Sequence, residues 1–319
     1  MPYPPVTAVI PAFNASRTIE RALASVWRQS YPELEVVVVD DGSSDDTGIR
    51  VERIGKNNLR LIRLEENRGE CGAMNVGIKE ARTDYIAFLD ADDEWLDGKL
   101  LKQLPVLEAH PEMSFISCGG EAVDRDGVVV ATFGLEPPGY SQSQFWQGLL
   151  VRSHIAKPSV VARRAKLLEV GGFDDALKIS GDQDMWIKLA LNGDVGFIPE
   201  VLIRVHRTSD SLMSRYGARE AEFGLPMIRK HLSGLASRLS KREIRQILAE
   251  RYARIGRNIY YRGRPIRGAA LVLHAMLLGN RPLENLGYLI SAAPPVIRLK
   301  QQFRRRRQHR KACSDPLDM

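Results

Sequence analysis

Asp90-Ala91-Asp92 follows directly on the apolar run Tyr85-Ile86-Ala87-Phe88-Leu89, which sets two carboxylates at the exit of what reads as a buried strand. Such a run fits a strand covered on both faces, and ligands of α/β proteins usually sit in the crevice beyond the carboxyl ends of such strands. If the extended conformation continues through the triplet, Asp90 and Asp92 point to one side. Carboxylate oxygens are hard ligands suited to Mg2+ or Mn2+, and a cation held by one or two of them completes its shell with substrate phosphates. That chemistry points to a nucleotide diphosphate. The competing structural reading is a polar turn closing the strand, because Asp93, Glu94, Asp97 and Gly98 continue a loop-like composition.

Other segments carry chemistry of the same kind. Val9 to Asn14 and Val36 to Ser43 each pass from strand-like residues into a short polar turn, so Pro11, Phe13, Asn14 and Asp41 fall near strand ends. A base and ribose fit there, with the Asp41 carboxylate accepting hydrogen bonds from either. Asp45 and Asp46, ahead of Thr47, read instead as helix-capping residues. Glu66-Asn67-Arg68-Gly69 precedes a helix-like stretch containing Asn75, an arrangement in which backbone N–H groups and Arg68 could face a phosphate. Asp182 and Asp184 fall in the first turn of a helix, where Ser180 and Gln183 match a capping box. The helix dipole that stabilises such a carboxylate also keeps it ionised, as a general base must be. His206 closes a late strand, where an imidazole can ligate a metal or donate to phosphate.

These groups need a scaffold, and the hydrophobic pattern supplies one. Strand-like Val6–Ile10, Glu35–Val39, Leu59–Leu64 and Tyr85–Leu89 alternate with helix-like Thr18–Gln29 and Gly72–Ala81. That alternation predicts an α/β fold with a mostly parallel sheet and helices on both faces. A helix over Leu100–Ala109 follows, and Asp126-Gly127 signals a hairpin that makes the sheet mixed. Leu135 to Ser143 reads as a loop, while Ser159–Val161 and Val201–Val205 read as late strands. From about Arg215 the alternation stops. Ser240-Lys241-Arg242-Glu243 is a capping box ahead of a long amphipathic helix, and Pro265–Leu278 supplies a second. The expected domains are therefore residues 1–215, a helical appendage over 216–293, and a basic tail over 294–319 that starts at the helix-breaking Pro294-Pro295.

Length and composition narrow the function classes. With 319 residues and 44% hydrophobic content the chain can bury a large core. Its net charge of +7 is misleading, because Arg298 to Lys311 carries eight Lys or Arg and no acid, which leaves the remainder at −1. A near-neutral body with a cationic tail argues against nucleic acid as the partner. Cys71, Cys118 and Cys313 show no paired spacing, which argues against a disulfide framework or a zinc site and fits a reducing, cytoplasmic setting. No dinucleotide fingerprint G-x-G-x-x-G occurs, and no signal peptide or span of ~20 apolar residues is visible.

Taken in order, Val9–Asn14, Val38–Ser43, Asn67–Gly69, Phe88–Asp93, Gly171–Asp174 and Gly181–Trp186 resemble the family 2 glycosyltransferases of GT-A fold. The resemblance implies a Rossmann-like GT-A domain that transfers sugar, with inversion, from a nucleotide-diphosphate donor to a hydroxyl acceptor. It implies donor contacts from Pro11, Phe13, Asn14, Asp41, Arg68, Asn75 and Asp90. Asp92 would be the principal ligand of Mn2+ or Mg2+, assisted by Asp90 and His206, and Asp182 the catalytic base, with Asp184 as the alternative. The implied donor is a UDP-sugar and the acceptor a glycan or lipid-linked molecule, in cell-envelope or extracellular glycan synthesis. The chain departs from the family pattern at Met74, where many relatives carry an arginine, and at Gly181, where an acid often precedes the base. A tail such as Arg298–Lys311 can attach to anionic lipid, giving a protein peripheral to the inner face of the membrane. The alternatives are a catalytically degenerate nucleotide-sugar or glycan binding module and a metal-dependent nucleotidyltransferase.

Overall fold

The computed structural model describes residues 3–135, 144–153, 155–207, 220–279 and 285. By internal contact the chain divides into two compact units, Met1–His231 and Leu232–Met319. The predicted boundary at 215/216, most of the loop over 135–143 and the basic tail lie outside the described residues.

The first unit is built on a sheet with the order β3-β2-β1-β4-β8-β6-β9-β5, with β7 pairing on β6. Its parallel half comprises β1 (Val6–Ala12), β2 (Leu34–Asp40), β3 (Leu59–Arg63) and β4 (Tyr85–Phe88). The connecting helices are α1 (Ile19–Trp27), α2 (Thr47–Arg53) and α3 (Gly69–Glu80). Beyond β4 the sheet becomes mixed. β5 (Glu94–Trp95), α4 (Lys99–Ala109), β6 (Met113–Val123), β7 (Val129–Phe133), α5 (Phe145–Val151), β8 (Val161–Arg163), α6 (Arg164–Glu169), α7 (Gly181–Leu191) and β9 (Asp194–His206) follow. β8 runs antiparallel to both β4 and β6, and β9 runs parallel to β6.

Alternation along the strands explains the layers. Val6, Ala8 and Ile10 of β1 with Val36 and Val38 of β2 pack on Ile19, Leu23 and Val26 of α1. The opposite residues Val37 and Val39 pack on Ala73 of α3. Each such fully buried Val, Leu or Ile contributes about 1.5–3 kcal/mol. α3 approaches the sheet so closely that a Cβ on Gly77 would collide with the Val9 side chain. Helices therefore cover both faces, as the alternation predicts.

The differences from the sequence reading are local. β5 is two residues long and gives no periodic signal, and β9 extends well upstream of Val201 through an exposed stretch at Glu200. α3 starts at Gly69 rather than Gly72. The hairpin at Asp126-Gly127 forms as expected, with Gly127 at φ +79°.

α8 (Glu220–Gly234) runs across the division at His231/Leu232. In the second unit, α9 (Lys241–Tyr261) and α10 (Pro265–Leu277) form a helical pair. The expected capping box is present, with Glu243 N–H donating to Ser240 Oγ and Ser240 N–H donating to Glu243 Oε2. The two helices touch backbone to backbone at glycines: a Cβ on Gly268 would lie 2.6 Å from the Gly256 oxygen. Among the described residues no helix is long and apolar enough to cross a membrane.

Candidate active site

Parallel pairing aligns the carboxyl ends of β1, β2 and β4. Ala12 pairs with Asp40, Asp41 N–H donates to the Ala12 oxygen, and Leu89 N–H donates to the Val9 oxygen. The chain leaving β4 therefore emerges beside the chains leaving β1 and β2. Here a cavity of about 400 Å3 opens, and Asp90, Asp92, Asp93, Lys157, Asp182 and His206 all contribute to its wall.

The acidic triplet does not continue as strand. Asp93 N–H donates to the Asp90 oxygen at 3.1 Å, closing a turn. This is a correction to the extended geometry expected from the sequence, and it adds Asp93 to the wall. The turn is clamped from outside: Arg21 Nη2 donates to the Asp92 carbonyl at 2.6 Å, and His206 N–H donates to Asp93 Oδ1 at 2.9 Å. Glu94, next along, accepts from Arg28 Nη2 at 3.0 Å and pairs with His206 Nε2 at 2.8 Å.

α7 brings Asp182 to the same cavity. An aromatic group anchors this helix to the sheet, with Trp186 against Phe88 at 5.8 Å, Phe115 at 5.5 Å and Phe173 at 6.2 Å between ring centroids. Ser180 enters the helix at φ +67° with no side-chain cap, so the capping box read from Ser180 and Gln183 does not form. Asp182 Oδ1 instead accepts the Gln183 N–H at 2.7 Å. Burial raises the Asp182 carboxyl above its ordinary range, with nearby Glu70 adding to the rise. A base of higher affinity for protons is thereby set facing the cavity. Asp184 is only 1% exposed and turned elsewhere, bonded to His231 Nε2 at 2.7 Å and ion-paired with Lys188 at 2.6 Å. The pair of candidates divides in space, Asp182 on the cavity and Asp184 in the packing behind it.

Two groups escaped the sequence reading. Lys157, in a short 3-10 turn, pairs with Asp90 and with Glu70 of α3. The only sequence signal was Pro158 beside an isolated lysine, which is too common to single out.

The other expected donor contacts lie at the strand ends outside the cavity wall. Asp41 is 3% exposed, and its Oδ1 accepts Arg68 N–H at 2.7 Å at the start of α3. Burial raises the Asp41 carboxyl, against the pull of that hydrogen bond. The Arg68 side chain is exposed, Pro11 is buried in β1, and Phe13 is 48% exposed. Asn14, at φ +50°, accepts Ser44 N–H at 2.9 Å. Asn75 departs from expectation: its amide donates to the Phe173 oxygen at 2.9 Å and accepts Phe173 N–H at 2.8 Å, so it is spent on holding the Gly171–Asp174 loop. Of the two expected capping residues, Asp45 accepts from Ser16 and Thr47, which against a desolvation cost holds its carboxyl near 2, whereas Asp46 stands at the N-cap of α2 with no side-chain cap.

The donor set suits a hard cation. Burial and crowding raise the Asp90, Asp92 and Asp93 carboxyls, and Lys157 draws against that rise. At Asp92 the residue's own backbone N–H and the nearby Arg21 also draw against the rise. No three His, Cys, Asp or Glu side chains converge on one metal position among the described residues, and His206, expected as a ligand, gives Nε2 to Glu94. One or two carboxylates supplemented by substrate phosphates is the arrangement Mg2+ commonly adopts, so the residues fit such a group without forming a finished cage.

Comparison with known proteins converges on one class. Residues 7–153 match the family model for Glycosyl transferase family 2. The chain is 34% identical over 124 residues to WfgD of Escherichia coli, a UDP-Glc:alpha-D-GlcNAc-diphosphoundecaprenol beta-1,3-glucosyltransferase. That match takes in 39% of this chain and 49% of WfgD, so the chain spans about half the length of that relative. Among solved structures, S. aureus TarS 1-349 in complex with UDP-GlcNAc superposes with a TM-score of 0.58 at 20% identity, over 85% of this chain and 89% of that one. The mannosyltransferase PcManGT from Pyrobaculum calidifontis, in complex with GDP-Man and Mn2+, gives 0.60 at 22% identity, over 94% and 84%. The last two likenesses identify the fold, a GT-A-like α/β sheet with helices.

Proposed function

We propose that the chain, whose residues 7–153 match glycosyl transferase family 2, moves a sugar, with inversion, from a nucleotide-diphosphate donor to an acceptor hydroxyl. The observation that carries the reading is the meeting of Asp92 and Asp182, distant in sequence, on one cavity.

In this reading Asp182 removes the proton from the acceptor hydroxyl as its oxygen attacks the anomeric carbon, and the nucleoside diphosphate leaves on the opposite face. Burial of Asp182 raises its proton affinity and so favours that transfer. Asp92, with Asp90, would hold Mn2+ or Mg2+, which when bound neutralises charge on the departing diphosphate. Asp41 and the turn at Phe13 and Asn14 would face the base and ribose, beside the start of α3. The Asp41 carboxylate accepts from the Arg68 and Gly69 backbone N–H groups, and a carboxylate has lone pairs beyond those two with which to accept from a nucleoside. Asn75 and His206 act here through position: Asn75 fixes the loop before α7, and His206 fixes the acidic turn.

The donor is a UDP-sugar and the acceptor a lipid-linked or growing envelope glycan. WfgD, by its description, uses UDP-Glc and a diphosphoundecaprenol-linked acceptor. Work at the cytoplasmic face of a membrane is consistent with the eight cationic residues of Arg298–Lys311, each worth about 1 kcal/mol beside anionic lipid.

Product analysis tests the reaction class. Incubation with UDP-Glc or UDP-GlcNAc, Mn2+ and an undecaprenyl-diphosphate-linked sugar acceptor should release UDP and an elongated glycan. Release of pyrophosphate would assign nucleotidyl transfer instead. Tight donor binding with no turnover on any acceptor would leave a binding module.

A further inference from the structure

Lys157 is built into the wall of this acid-lined cavity with its side chain 7% exposed. Its backbone is fixed on several sides. Trp95 Nε1 donates to the Pro158 oxygen at 3.1 Å, Gln103 Nε2 to the Ser159 oxygen at 2.8 Å, and Phe88 N–H to the Val160 oxygen at 3.2 Å. Those bonds join the backbone of the lysine turn to β4, β5 and α4 beside the exit of β4.

The Nζ pairs with Asp90 on one side and Glu70 on the other. An ammonium carries three donors, and these partners account for two. The third N–H has no partner among the described residues, and the group that bears it lines the cavity. Around it stand Glu70, Asp90, Asp92, Asp93 and Asp182, and of the two lysines on the wall, Lys157 and Lys178, only Lys157 is buried. Left alone, such a wall attracts cations and repels a diphosphate. Lys157 opposes both tendencies, because its charge disfavours a free divalent ion near Asp90 and favours an anionic oxygen in front of it.

We propose that Lys157 is a donor-binding residue that directs its free N–H to an anionic oxygen of the nucleotide diphosphate, and so makes the cleft take cation and diphosphate as a pair in preference to the cation alone. The proposal rests on the glycosyltransferase reading and adds to it a residue outside the matched family segment, 7–153. Glu70 acts as a positioning residue: it anchors the ammonium from α3 and sets how much of its charge remains for the ligand. A merely structural lysine would hold Asp90 to Glu70 and have no such sign-dependent effect.

The test is calorimetric titration of the full chain with two probes, Mn2+ alone and UDP at saturating Mn2+. In Lys157→Met, Mn2+ alone should bind more tightly than in wild type, while UDP binds about tenfold more weakly or worse, the loss expected of a charge-assisted hydrogen bond. Lys157→Arg should return UDP affinity to within about fivefold of wild type, since the charge is kept. Glu70→Gln, which keeps the ammonium and removes one of its counter-charges, should tighten UDP about two- to fivefold, and this variant decides the matter if Lys157→Met does not fold. Unchanged UDP affinity in Lys157→Met, parallel weakening of both probes, or weaker UDP binding in Glu70→Gln overturns the role. Wild-type protein that binds neither UDP nor GDP with Mn2+ overturns this proposal and the glycosyltransferase reading together, whereas wild-type binding with unresponsive variants overturns this proposal alone.

Discussion

The sulfur of Cys71 occupies the space that a Cβ on Gly181 would need. Residue 181 directly precedes Asp182, so the thiol on α3 sets how closely the start of α7 can approach and where the candidate base stands. The thiol itself is inert: burial pushes it up to about 12, with Glu70 adding to the rise. A glycine at position 181 leaves the room that this sulfur fills.

Gly181→Ala should therefore cost about 1–3 kcal/mol through overpacking. Cys71→Ala/Gly181→Ala should recover most of that loss, a coupling that urea unfolding of the two single variants and the double variant would measure. Strict additivity in the cycle would contradict the contact.

Asp184 is predicted to matter for stability and not for chemistry. Burial alone would raise its carboxyl, but hydrogen bonds from His231 and Lys188 hold it below the ordinary range. Asp184→Ala removes the partner of a buried pair and should cost roughly 3–5 kcal/mol. The sign of the pH effect follows from the lowered value: the carboxylate stabilises the fold above the unfolded value of about 3.9 and loses that contribution as pH falls through the folded one. Acid unfolding of the wild type should include this component, and Asp184→Asn should lack it while being less stable at neutral pH. An unchanged acid limb in Asp184→Asn would contradict the assignment.

Asn75 ties α3 to the loop before α7 through hydrogen bonds in both directions with Phe173. Asn75→Ala should destabilise by about 1–3 kcal/mol, because a buried carbonyl and N–H lose their partner. UDP affinity per folded molecule should change little. A large loss of UDP affinity with unaltered stability would return Asn75 to the donor site.

Much of this architecture is legible in the sequence because it depends on local periodicity. Short apolar runs in β1, β2 and β4 and the helical spacing in α1 mark the parallel half of the sheet, and strand exits then mark Asp41, Asp90 and Asp92. The capping box at Ser240 is readable for the same reason, its four residues being contiguous. At Ser180 the same pattern misleads, since a left-handed residue at the helix start turns the hydroxyl away from the N–H it should accept. Lys157 and Glu70 are illegible because their meaning lies in a contact across 87 positions, and neither stands in a periodic or motif-like setting. His206 reads from the sequence as a site residue, but its partners are Asp93 in the acidic turn and Glu94 in β5, too short a strand to read.

The division of labour between Asp92 and Asp182 is tested most directly by titrating UDP with Mn2+ into wild type, Asp92→Asn and Asp182→Asn, and by following sugar transfer in the same three proteins. Asp182→Asn should bind UDP as wild type does while its transfer rate falls by about 10²- to 10⁴-fold, and Asp92→Asn should lose Mn2+-dependent binding, as should wild type treated with chelator. Full transfer by Asp182→Asn, or undiminished Mn2+-dependent UDP binding by Asp92→Asn, would contradict the account.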